Sequence, residues 1–228
     1  MPKHPKQFIF VAAMVSFALF GGQYAQAREG YFQPASGEVI AASPGQEKAT
    51  ANEEGGVSLF ASDGTLVGGY PLFVANQVAA SSPVIADVTG DTAGEIAFIS
   101  RDSAGARYLR VYDGQKNELA SVSLGNSDIF CDPVAFALNS GKKGIVIATD
   151  SGLVSVYEYQ AGVLDEVKIV ELEESEPVCA APSYQANELI INYPTFNKID
   201  VKVYNRGDWT LGRQLTISSP IIYGMTAA

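Results

Sequence analysis

Three observations predict an all-β protein of the β-propeller class with four-stranded antiparallel blades. Four segments read apolar, polar, apolar, aromatic at a near-constant spacing, further strand-like runs flank each, and no helical stripe exceeds a few residues. The segments are Val57-Ser58-Leu59-Phe60, Leu109-Arg110-Val111-Tyr112, Val154-Ser155-Val156-Tyr157 and Val201-Lys202-Val203-Tyr204, with aromatics 52, 45 and 47 residues apart. A repeat of about 45 residues with four strands matches one blade.

The first 27 residues stand apart from that pattern. Lys3, His4 and Lys6 form a basic start, Phe8 to Phe20 an apolar stretch, and Ala25-Gln26-Ala27 a small-x-small end. This is a secretory signal peptide expected to be cleaved after Ala27, and its apolar run is too short for a span of about 20 residues. The domain is then 28–228, exported to the periplasm, the cell surface or the medium, with no transmembrane segment after cleavage.

Within each repeat, an upstream run is expected as strand two: Glu38-Val39-Ile40-Ala41, Glu95-Ile96-Ala97-Phe98, Ile145-Val146-Ile147-Ala148 and Glu188-Leu189-Ile190-Ile191. The aromatic-ended segment is strand three. Hairpin chemistry follows it at Ser62-Asp63-Gly64, Asp113-Gly114, Gln160-Ala161-Gly162 and Asn205-Arg206-Gly207-Asp208, leading into strand four. Strand one is headed by a proline in Ser82-Pro83-Val84, Asp132-Pro133-Val134, Glu176-Pro177-Val178 and Ser219-Pro220-Ile221. Proline is tolerated there because its missing N–H falls at the end of a ladder. In this order the chain starts on strand two and ends on a solitary strand one from Pro220. Pairing that C-terminal strand with the N-terminal blade would close four blades without an open edge; the alternative is a fragment of a larger propeller.

Composition excludes several functions. Of 228 residues, 25 are acidic and 15 basic, and loss of the leader's two lysines takes the formal charge from −10 to −12. No basic stripe exists for a phosphate backbone, so nucleic acid is not a partner. The single histidine is His4, inside the leader. Ser-His-Asp and Cys-His catalysis and histidine-ligated zinc are thereby excluded from the mature chain.

The second repeat carries a sharper motif. Gly69-Tyr70-Pro71, Ser81-Ser82-Pro83-Val84-Ile85-Ala86-Asp87 and Val88-Thr89-Gly90-Asp91-Thr92-Ala93-Gly94-Glu95-Ile96 resemble the FG-GAP/VCBS family of secreted propeller repeats, also found in integrin alpha heads. The resemblance implies adhesion, recognition or assembly rather than catalysis, and a loop between strands one and two that often holds calcium. The chemistry of the loop agrees, since Ca²⁺ takes six to eight hard oxygens and alternate loop residues can point inward. Asp87, Thr89, Asp91 and Glu95, with the Ala93 carbonyl, would form one weak structural site. Thr89 in place of an acid and Thr92 in place of glycine weaken it. The competing reading is an Asx turn, in which Asp87 and Asp91 bond only backbone N–H groups.

Connections from strand two to three and from strand four to the next strand one emerge on one face, the candidate ligand face. Its long segments include Ser43 to Gly56, Arg101 to Arg107, Val122 to Asp132, Glu171 to Glu176 and Asn192 to Lys198. Near the axis, Ser82, Asp132, Glu176 and Ser219 would form a polar ring, and Tyr193 and Phe196 at a loop tip could stack on a sugar or a partner; a solvated rim and a satellite cluster are the respective alternatives.

The leading expectation is a non-enzymatic module that binds a protein or glycan. The alternative is a carbohydrate-active glycosidase or lyase using Asp132 and Glu176 as paired carboxylates. Trp209 is expected to pack a blade edge. Cys131 and Cys179 form an even pair in an oxidising compartment, which favours a disulfide. The expected register, with one residue two before its proline and the other two after, separates them by about 13 Å of rise and argues against it.

Overall fold

The computed structural model describes residues 34–40, 45–52, 54–129, 131–150, 152–171, 179–182, 188–194, 198–205 and 209–218. The leader and the C-terminal strand expected from Pro220 lie outside these residues. Every regular element described is a β-strand, paired antiparallel in four successive sheets, the arrangement of propeller blades.

The first blade holds β1 (Ala35–Gly37), β2 (Glu47–Ala51) and β3 (Val57–Phe60). Bridges Phe60 to Leu66 and Val57 to Leu72 add a broken fourth strand. The second holds β4 (Gln77–Ala79), β5 (Val84–Ala86), β6 (Glu95–Asp102), β7 (Arg107–Tyr112) and β8 (Glu118–Gly125). The third is β9 (Val134–Ala137), β10 (Lys143–Ala148), β11 (Leu153–Gln160) and β12 (Val163–Glu171). The fourth is β13 (Cys179–Pro182), β14 (Glu188–Pro194), β15 (Lys198–Asn205) and β16 (Leu211–Ser218). The expected hairpins form where the chemistry allows: Ala161 and Gly162, both at positive φ (48° and 94°), join β11 to β12 as a two-residue turn.

The first blade differs from the sequence expectation. Glu38-Val39-Ile40 lies in a connection, not in strand two, which is β2 from Glu47. Val39 is apolar because it is buried under that connection, where its N–H donates to Glu47 Oε2 at 2.8 Å. β1 pairs with β2 through Gly37 and Glu47, so the first blade has its own strand one, headed by Pro34 as β5 is by Pro83. The position assigned in sequence to the C-terminal strand is thus held by β1.

Alternation along the strands puts one apolar set on each sheet face, and the cores lie between successive sheets. Ile99, Leu109 and Val111 of the second blade meet Ile145, Ile147 and Leu164 of the third. Phe136, Val146 and Val156 of the third meet Leu189 and Ile191 of the fourth, and Trp209 tilts on Phe136 with centroids 5.7 Å apart. Burial of each such side chain contributes about 2 kcal/mol.

The cysteine expectation from register is corrected. Cys131 is disulfide-bonded, and Cys179 is the only other cysteine in the chain. Hydrogen bonding does not align the inner strands of neighbouring blades, because β9 and β13 belong to separate sheets with no ladder between them. β13 begins at Cys179, whereas Cys131 lies three residues ahead of β9.

Candidate functional site

The loop between β5 and β6 closes on itself. Asp87 Oδ1 accepts from the Gly90 N–H at 2.6 Å and Oδ2 from the Thr92 N–H at 3.1 Å; Asp91 Oδ1 accepts from the Ala93 N–H at 2.9 Å. Glu95, only 3% exposed, accepts from the Val88 N–H at 2.8 Å and the Thr89 N–H at 3.2 Å, and its other oxygen from the Thr89 hydroxyl at 3.2 Å. Burial, partly countered by these hydrogen bonds and reinforced by the Asp91 charge, pushes the Glu95 carboxyl above the usual carboxylate range.

Glu47 of β2 occupies the position of Glu95 and bonds Val39 as Glu95 bonds Val88, with no Asp-x-Asp run ahead of it. In the third blade, where Gly144 pairs with Phe136 as Glu95 pairs with Ala86, the shorter connection satisfies itself: Leu138 N–H donates to the Lys142 carbonyl at 2.9 Å. The glutamates therefore act as plugs for long connections. Among the described residues no group of three or more His, Cys, Asp or Glu is placed to hold a metal ion. In this arrangement Asp87, Asp91 and Glu95 turn carboxylate oxygens to the loop's own donors, as in the Asx-turn alternative. The melting temperature is accordingly expected to be the same in EDTA and in millimolar calcium; a rise with calcium in a thermal melt would show an ion-filled loop instead.

The expected axial ring is described in half. Ser82 N–H donates to Asp132 Oδ1 at 2.7 Å, joining the linkers that lead the second and third blades. Asp132 is thus a clasp between blades. Glu176, Ser219 and Phe196 lie outside the described residues. Tyr193 sits within β14, paired with Asp200 of β15, and not at a loop tip.

A site that the sequence reading passed over lies at the seam of the first two blades, on the face predicted for ligands. β4, in the linker, ladders onto the far end of β6 through Gln77–Asp102, Val78–Arg101 and Ala79–Ser100. Its other side is tied to the first blade by the Ala79 N–H, which donates to the Gly55 carbonyl at 2.8 Å. Beside β4, the hairpin between β6 and β7 is locked by Asp102, whose Oδ1 accepts from the N–H groups of Ala104 and Ala106, both at 2.9 Å. Together they line an open groove of about 610 Å³.

Behind the groove, Arg110 Nε donates to Gln77 Oε1 at 3.1 Å and Ser100 Oγ at 2.9 Å, while its Nη1 meets Glu118 at 2.7 Å. That network fixes Gln77. By contrast, the side chains of Asn76, Arg101 and Ser103 make no hydrogen bond or ion pair among the described residues, and all three residues are exposed. The signal for this site was the linker Gln77-Val78-Ala79, a β-compatible run too short to stand out.

No protein family and no curated protein matches the chain. Among solved structures it is similar to the Dos1 propeller, at 11% identity and a TM-score of 0.51 over 75% of this chain. It is also similar to rhamnogalacturonan lyase PL11 of Bacillus licheniformis, at 14% identity, a TM-score of 0.49 and 78% coverage. It spans 45% of the first structure and 39% of the second. The first likeness supports the propeller fold alone. No helix among the described residues is long and apolar enough to cross a membrane.

Proposed function

We propose that this chain is an exported, non-enzymatic binding or assembly propeller that takes a protein or glycan on the face of the β6–β7 hairpin. The observation that carries the reading is the seam groove, where Asn76, Arg101 and Ser103 offer donors without partners among the described residues, on a backbone tied to two blades. Rigid support under free polar groups suits recognition, because little ordering is required on binding. The FG-GAP/VCBS resemblance of the second repeat points the same way. Calcium has no part in this reading, since the Asp87–Glu95 loop is held by its own hydrogen bonds.

The enzymatic alternative uses Asp132, whose Oδ1 accepts from the Ser82 N–H. The test is to incubate the protein with immobilised polysaccharides and extracellular proteins, and to measure both retention and new reducing or unsaturated sugar ends. Saturable retention with no new ends is expected. Turnover by the wild type that Asp132→Asn abolishes would overturn the non-enzymatic reading.

A further inference from the structure

Arg101 and Val78 form a cross-strand pair on neighbouring strands, so their side chains stand on the same face of the seam. Arg101 carries a guanidinium and, among the described residues, makes no ion pair or hydrogen bond. The adjacent Asp102 does not supply one, because Oδ1 holds the hairpin and Oδ2 lies 3.4 Å from the Tyr108 hydroxyl. An exposed guanidinium with no partner among the described residues is available to a ligand that carries a localised negative group.

Next to it is an apolar shelf. A Cβ on Gly55 would meet Val78 Cγ1 at 2.7 Å and one on Gly56 the Phe73 ring at 2.7 Å, so both side chains rest directly on the turn between β2 and β3. Their outer faces remain in solvent, Phe73 at 53% and Val78 at 42%. The groove is open and lined by short polar groups, with no enclosed pocket for the aromatic or arginine anchor that dominates protein interfaces. One arginine is also too little for a polyphosphate. Free donors, the exposed Val78 and the nearby exposed Phe73, and one planar cation match a saccharide bearing a carboxylate, because guanidinium and carboxylate pair in bidentate fashion and apolar side chains suit the C–H face of a sugar ring.

We propose that this groove binds an acidic glycan of hexuronate sugars. Arg101 takes a sugar carboxylate, Asn76 and Ser103 take hydroxyls, and the Phe73–Val78 shelf takes an apolar ring face. The proposal rests on the binding-module reading above and narrows it to one ligand class. It is tested by titrating the ¹⁵N-labelled protein with trigalacturonate and, separately, with neutral maltotriose, following the backbone amides.

Trigalacturonate is expected to give saturable shifts at residues 76–78 and 101–105, with affinity at least about tenfold above maltotriose. Arg101→Gln is expected to lower that affinity about tenfold while leaving the thermal melt and the maltotriose affinity unchanged. Equal affinity for the two sugars, shifts confined to other residues, or no saturable shift would each overturn the proposal. Retention of another glycan or of a protein in the panel would show that the binding-module reading survives such a result; a blank panel would end both.

Discussion

Reduction of the Cys131 disulfide is expected to lower stability by about 4 kcal/mol at 25 °C and the melting temperature by roughly 10 °C. Cys131 precedes β9, and the chain's other cysteine, Cys179, opens β13, so a closed loop between them contains the whole third blade. In the chain-entropy account, a cross-link over 48 residues removes much of the freedom of the unfolded chain. The third blade also supplies the apolar residues that meet both neighbours, Ile145 and Ile147 on one side and Val146 and Val156 on the other. Loosening its ends therefore weakens two cores together. The measurement is calorimetry of the native protein with and without reductant, beside the double variant Cys131→Ser with Cys179→Ser. The double variant should melt with the reduced wild type and ignore reductant. A wild type whose melt is unchanged by reductant would show that the bridge does not constrain the fold.

The fold was legible wherever residues alternate with strong apolar contrast. Glu95 to Phe98, Ile145 to Ala148 and Glu188 to Ile191 all became the second strand of a blade, and the four aromatic-ended segments all became the third. The first blade was misread because Ala35-Ser36-Gly37 has no β-branched or aromatic residue, whereas Val39 and Ile40 do resemble a strand. Two spacings carried the right answer: Pro34 stands 49 residues before Pro83, and Glu47 stands 48 before Glu95. The disulfide was hidden because sequence spacing does not report how strands of separate sheets lie beside one another. The seam groove was hidden for a related reason, since β4 becomes a strand only when the far end of β6 is there to receive it. The Asp87 to Glu95 spacing was ambiguous in a deeper sense. Oxygens that could converge on a cation are equally able to take the loop's own N–H groups, and only the positions of those donors decide.

Glu95→Ala is expected to destabilise the second blade by about 3 kcal/mol, because it strands the N–H groups of Val88 and Thr89 beneath the loop. The loss is partly offset by no longer burying a carboxylate, which is why it stays below the sum of three charge-assisted hydrogen bonds. The pH dependence then separates a self-bonded turn from a cation site. Burial raises the folded-state pKa of Glu95 above its ordinary value near 4.5, so the folded chain holds this proton more tightly than the unfolded chain. Its contribution is fully present below the ordinary value and is lost as the pH rises through the raised folded value. The stability of the wild type relative to Glu95→Gln, which does not titrate, should therefore increase as the pH falls from neutrality into the carboxylate range. A calcium ion held by the same carboxylate would reverse the sign, since a cation depresses the pKa and the stabilisation would be lost on acidification. Denaturant melts of both proteins at neutral pH and near pH 4.5, in EDTA and then in calcium, read that sign directly. A relative stability that falls with acidification in EDTA would overturn the buried-plug account of Glu95.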